Sequence, residues 1–179
     1  HEENPAVRGS TTHLLQIFVN LPKDRQNAAP FALTLRPQDV PVVQRPGARV
    51  RVPLGAFGDA RSPLTPTEVT LLDVTLEPMA ELEVPVPAGQ RAFFMPVFGS
   101  AEIDGNSFGL DDLGAPVMPT VPDVTTHKLV AKADGAKVAV FIGKPLHQPI
   151  LSNGPMAFAT KENLAAAAAA YHRGEMGSL

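Results

Sequence analysis

The sequence predicts an all-β protein, a sandwich or barrel of short strands followed by one C-terminal helix. Three observations carry that expectation. The 19 prolines fall mostly between apolar segments, and proline interrupts helices and central strands alike. From Ala48 onward, apolar runs follow one another with turn signals every ~8–12 residues, the rhythm of a sandwich or barrel. No strand-like run alternates with a helical pattern, as a parallel sheet would require.

In chain order, LLQIFVNLP (Leu14 to Pro22) reads as a buried strand. Leu15, Ile17 and Val19 take one face, and Leu14, Gln16, Phe18 and Asn20 the other, because successive side chains of a strand alternate. PKDRQNAAPFALTLRPQDVPVVQRPG mixes charge, proline and glycine and reads as a connector with a short strand near Phe31 to Leu35. ARVRVPL, EVTLLDVTLEP, ELEVPVP, RAFFMPVFGSAEI and NSFGL then read as successive strands, followed by VTTHKLVAKA and KVAVFIG. Asp104-Gly105 predicts one tight hairpin and Asp134-Gly135 a second, since Asp-Gly tolerates the positive φ values of such turns. Near the end, Thr160 can cap a helix over KENLAAAAAAYHR, a run of strong helix formers that Gly174 can stop. Its small alanines suit close packing on a sheet or neighbouring domain, with Leu164 and Tyr171 as larger anchors.

Composition narrows the function classes. A chain of 179 residues is long enough for a real core. The net charge of -3 and scattered basic residues leave no footprint for nucleic acid. No apolar run approaches the ~20 residues that span a bilayer, and no charged-then-apolar leader precedes the first strand. A soluble, cytoplasmic protein is expected. The absence of cysteine excludes disulfides, thiolate zinc sites and cysteine nucleophiles.

Chemistry is sparse in the body of the chain. His127 lies in the strand VTTHKLV without companions and reads as a sheet residue; His147 follows a turn, and His172 falls in the last turn of the helix, where a cation suits the dipole. Glu81 and Glu83 share one strand face in ELEVPVP and read as a solvated face, since no histidine accompanies them for acid–base work. No Gly-x-Ser-x-Gly and no phosphate-binding glycine loop occurs. His1 and Glu3 are the exception. In an extended segment they point the same way and could converge on one ion, although two ligands hold a metal weakly and a chain terminus is commonly unstructured.

Taken together, several segments resemble the pirin family of the cupin superfamily. They are the His-x-Glu-x-Pro of HEENP, the L-Q-x-x-V-N-L of LLQIFVNL, the G-x-P-L-x-x-P-I of GKPLHQPI and the G-P-x-x-x-x-T of GPMAFAT, in the family's order. The resemblance covers nearly the whole chain. It implies a bicupin, two jelly-roll barrels in one polypeptide, with residues 1–35 as the closing segment of a first, metal-binding barrel. Residues 36–47 would be a linker, 48–155 a second, ligand-free cupin barrel, and 156–179 the C-terminal helix and tail.

The resemblance also implies a metal, usually iron, held by three histidines and one glutamate. His1 and Glu3 match the second half of that set, and the His-x-His that supplies the first half has no counterpart here. The chain alone is therefore expected to be inactive, with its Fe(II) site incomplete. His13 matches a position where the family tends to carry histidine and would support the ligands from behind. The intact parent would act as a quercetin 2,3-dioxygenase-type enzyme on a flavonol, with Glu3 as ligand and base. Two other readings stand beside it: a metal- and redox-dependent regulatory module that binds a protein partner, and a purely structural barrel. No direct contact with DNA and none with a membrane is expected.

Overall fold

The computed structural model describes residues 7–11, 14–112 and 114–175. The chain divides into two compact units, residues 31–145 and the paired ends 1–30 with 146–179. His1, Glu3 and His13 lie outside the described residues.

The larger unit is the expected barrel. Its strands are β1 (Val42–Arg45), β2 (Ala48–Leu54), β3 (Ala56–Phe57), β4 (Ala60–Arg61), β5 (Val69–Leu76), β6 (Glu81–Val86), β7 (Arg91–Ile103), β8 (Asn106–Gly109) and β9 (Thr125–Gly143). All pairings are antiparallel. Seven strands form one sheet in the order β1-β2-β5-β9-β7-β8, with β6 also on β9, while β3 and β4 make a small separate hairpin.

Alternation dictates what is inside. In β6 the pattern of ELEVPV buries Leu82, Val84 and Val86 and exposes Glu81, Glu83 and Pro85. In β2 it buries Ala48, Val50 and Val52, which alternate with Arg49 and Arg51. Leu72, Val74, Phe94, Ile103, Leu129, Val138 and Val140 complete a single core with no solvent contact to speak of. At about 25 cal/mol per Å² of apolar surface, this interior is the main source of the fold's stability.

β9 corrects the expected hairpin at Asp134-Gly135. One strand runs from Thr125 to Gly143; its first half pairs with β6, its second half with β5, and β7 follows it along both. Gly135 keeps its positive φ, 74°, but spends it on a bend opposite Gly99, φ 65°, where the β7–β9 register shifts. A glycine in a strand marks a bulge as readily as a turn. The Asp104-Gly105 hairpin formed as expected, joining β7 to β8 with φ of 49° and 83°.

The smaller unit holds β10 (Leu151–Asn153), β11 (Met156–Phe158) and α1 (Lys161–His172). Thr160 caps α1, its Oγ1 accepting from the Asn163 amide at 3.2 Å, and Gly174, φ 76°, closes it with its amide donating to the Tyr171 carbonyl. Asn163, Leu164, Ala167 and Ala168 form the half-buried face of α1, which lies against the β10–β11 hairpin. Tyr171 is not an anchor: it shares the helical face of Leu164, two turns on, yet is 63% exposed. Side-chain amides fasten the chain's two ends. Gln26 Nε2 donates to Asn20 Oδ1 and the Leu21 carbonyl, and its Oε1 accepts from the Ala159 amide at 2.8 Å. Gln148 Nε2 donates to the Leu21 carbonyl, and Asn27 Nδ2 to Asn163 Oδ1.

Three further expectations are corrected. LLQIFVNLP and the stretch Phe31 to Leu35 form no strand, because a strand needs a continuous ladder to a neighbouring strand and neither segment belongs to one of the sheets. The segment 36–47, expected as a linker, contains the edge strand β1, paired to β2 from Val42↔Arg51 to Arg45↔Ala48. β10, which lies within the residues expected to form the barrel, instead pairs with β11 in the unit of the chain ends. Among the described residues, no helix is long and apolar enough to cross a membrane.

Candidate functional site

Inside the barrel one ionisable side chain, His127, breaks the apolar lining, and its partner, Asp104, lies at the surface. His127 follows the inward face of β9 with Leu129 and Ala131 and is buried. The hairpin turn after β7 places Asp104 beside it, with Oδ2 2.7 Å from His127 Nδ1. Two backbone links hold the turn in register: the Asp104 amide donates to the Lys128 carbonyl at 2.9 Å, and Asp104 Oδ1 accepts from the Lys128 amide at 2.8 Å. The imidazole stands edge-on to Phe94, ring centres 6.0 Å apart. Burial acts to raise the Asp104 pKa, yet the bonds from His127 and the Lys128 amide outweigh it and hold the carboxyl below its ordinary value. An ionised carboxylate can only accept, so Nδ1 is the protonated ring nitrogen.

This pair does not make a metal centre. Among the described residues, no group of three or more His, Asp or Glu side chains could hold a metal, and a dedicated site takes three or four ligands. Glu81 and Glu83 are solvated as expected, with Glu81 Oε2 2.8 Å from Lys128 Nζ. Glu102 is paired with Lys132 on the exposed flank of β7; that hydrogen bond lowers its pKa, with the lysine charge adding to it. A cleft beside β8 takes in Ser107, Asp111, Asp112 and Lys132.

The chain-end unit carries a different kind of surface, an apolar groove of about 420 Å³ whose walls include Phe18, Val19, Ile150 and Phe158. Gln26 lines it too, but its amide is committed to Asn20, Leu21 and Ala159. The groove therefore offers contact area more than hydrogen bonds.

Sequence reading placed His127 correctly in a sheet but missed its partner. Asp104 lies 23 positions away, and only the β7–β9 register brings the two together. Its turn signal, Asp-Gly, concealed the second role.

Known proteins agree with this architecture. Residues 71–177 match the family model described as the pirin C-terminal cupin domain. Human pirin is 27% identical over 180 residues, covering 93% of this chain and 58% of that protein. A Pseudomonas aeruginosa protein named, provisionally, as a quercetin 2,3-dioxygenase is 26% identical, covering 97% of this chain and 62% of its own length. The crystal structure of a quercetin 2,3-dioxygenase from Acinetobacter baumannii superimposes with a TM-score of 0.79 at 24% identity, over 89% of this chain and 55% of that one. The chain thus spans about three-fifths of the curated relatives it matches.

Proposed function

Because the chain belongs to the pirin family, we propose that it is one part of a bicupin in which catalysis takes place outside the barrel of residues 31–145. His1 and Glu3 are then two of four metal ligands, and two histidines come from polypeptide beyond these 179 residues. Residues 1–35 close that first barrel, with His13 supporting the ligands. The metal is Fe(II), the substrate a flavonol, and the reaction a ring opening by dioxygen of the quercetin 2,3-dioxygenase type. The expected compartment is the cytoplasm.

The observation that carries this reading is the barrel's interior. Among the described residues it is apolar apart from the Ser62 hydroxyl and one imidazole, and that imidazole is engaged by Asp104. The described residues do not fit a metal, so no catalytic step is assigned to them. Imidazole nitrogen and carboxylate oxygen, as His1 and Glu3 would offer, are donors suited to non-haem iron. When bound, the metal would supply Lewis acidity and open coordination positions. Glu3 would also accept the proton of the flavonol hydroxyl. The similarity to a provisionally named dioxygenase supports the choice of substrate class.

The test is flavonol loss, with carbon monoxide release, catalysed under air by an iron-loaded polypeptide that extends through the first barrel. Glu3→Gln and His1→Ala should each lower turnover by more than roughly 100-fold, because losing a ligand exceeds the 10–100-fold typical of groups behind the ligands. Full turnover in both variants would refute the assignment.

A further inference from the structure

The net charge of the chain hides an uneven distribution. Five arginines and two aspartates lie between Arg36 and Arg61, a stretch of charge +3 in a chain whose total is -3. Two of those arginines meet at the turn of the β3–β4 hairpin. Arg61 Nη1 donates to the Gly58 carbonyl at 3.0 Å and to that of Ala60 at 3.2 Å. The Arg45 guanidinium lies over the same glycine, where a Cβ would come 3.1 Å from its Nη2, and its Nη1 donates to the Gln44 carbonyl at 3.1 Å. Both side chains are exposed and bonded only to main-chain carbonyls. Neither forms an ion pair among the described residues, and Asp59 of the same turn is no exception. Like charges gathered without a counter-ion attract an anion, and a planar guanidinium matches a carboxylate with two hydrogen bonds.

Beside these arginines runs a free sheet edge, because β1 ends the order of strands. The Pro41 carbonyl accepts from the Val52 amide, so residues 41, 43 and 45 turn their backbone groups to β2, and Val42 and Gln44 turn theirs outward. Among the described residues, the bond made on that outer side is the one from Arg45 to the Gln44 carbonyl. We propose that β1 docks an extended acidic segment of a partner protein, which adds a strand to this edge and sets its carboxylates on Arg45 and Arg61. Arg49, exposed opposite Gln44, adds a third charge on the outer face, whereas Arg51 is committed to Asp73 and the Pro37 carbonyl. A second copy of this chain is the wrong occupant, since it would bring the same arginines edge to edge. A nucleic acid would use the charges and leave the Val42 and Gln44 backbone groups unmatched. The competing role for Arg45 is that of a guard, a charge on an edge that discourages strand pairing.

The probe is a fluorescein-labelled peptide of alternating glutamate and valine, titrated with the full chain and followed by anisotropy. Micromolar affinity is expected, weakening as salt rises, while the lysine–valine counterpart should stay unbound. Arg45→Gln and Arg61→Gln should each weaken binding about 10-fold or more, as losing a hydrogen bond to a charged group does. Arg91→Gln, at the exposed start of β7, should leave it unchanged. Gln44→Pro removes an outward amide without altering charge, at an edge position that proline tolerates, and should weaken binding about 3–10-fold. Amide exchange at Val42 and Gln44 should slow in the complex, and this readout decides the matter for any variant whose far-UV circular dichroism departs from that of the unmodified chain. The proposal is overturned if the peptide does not bind, or if it binds without slowing exchange at Val42 and Gln44, which would leave a site for charge alone. Tighter binding of a single-stranded oligonucleotide of equal charge, or loss of peptide binding in the polypeptide that extends through the first barrel, overturns it equally. Neither iron nor flavonol enters the measurement, so its outcome is independent of the dioxygenase reading.

Discussion

Replacing Gly99 with alanine should open the barrel at the bend shared by β7 and β9. Gly99 has φ 65°, and a Cβ built there falls inside contact distance of the Gly135 carbonyl oxygen, 3.1 Å from its carbon and 3.3 Å from the Ala136 Cα. All three are backbone atoms of the facing strand and cannot rotate away. The left-handed backbone costs a non-glycine residue about 1–2 kcal/mol, and forcing atoms into packed structure about 1–3 kcal/mol. Together the loss is about 2–5 kcal/mol. Gly105→Ala is the control: φ is 83°, but nothing lies within 4 Å of the added carbon, so only the conformational cost of about 1–2 kcal/mol applies. The chain has no tryptophan, so unfolding is best followed by far-UV circular dichroism. At about 2–4 °C per kcal/mol for a chain of this size, Gly99→Ala should melt roughly 5–15 °C lower and Gly105→Ala only a few degrees. Equal losses in the two variants would refute the claim that the strands meet backbone to backbone at this bend.

Two further outcomes are expected. Asp104 has a carboxyl held below its ordinary value, so its stabilising contribution is complete above the ordinary carboxylate range and disappears as pH falls through its lowered value, below about pH 4. Asp104→Asn should cost about 1–2 kcal/mol at neutral pH and flatten that acid limb; a denaturation series at descending pH checks both. Thr160→Ala should weaken α1 by about 1 kcal/mol while Thr160→Ser keeps most of the cap, visible as lost helical signal and faster amide exchange at Asn163.

Legibility in the sequence followed the number of neighbours each segment has. ARVRVPL and RAFFMPVFGSAEI became β2 and β7 to the residue, because each has partners on the sheet and buries alternate side chains in one core. LLQIFVNLP has the same alternation and made no strand, since alternation specifies which face is apolar and says nothing of whether a neighbour exists. The Asp134-Gly135 error has a related origin. A local Asp-Gly signal permits positive φ, but β9 is held by β5, β6 and β7, and that ladder keeps the strand running through the bend. Thr160 and Gly174 were readable because caps act within one turn of chain. The Asp104–His127 contact was not, because it is a product of register. Whether His1 and Glu3 hold metal is legible only through the family's motif order.

The most direct measurement is the iron retained by this chain after anaerobic incubation with ferrous iron and desalting, compared with the His1→Ala, Glu3→Ala double variant. If His1 and Glu3 are two ligands of four, and with no metal-ligating group of three among the described residues, iron well below stoichiometry is expected in the unmodified chain and still less in the variant. About one iron per chain, unchanged in the double variant, would instead require a complete three- or four-ligand site within the barrel, and would contradict the reading of residues 31–145 as a scaffold without metal chemistry.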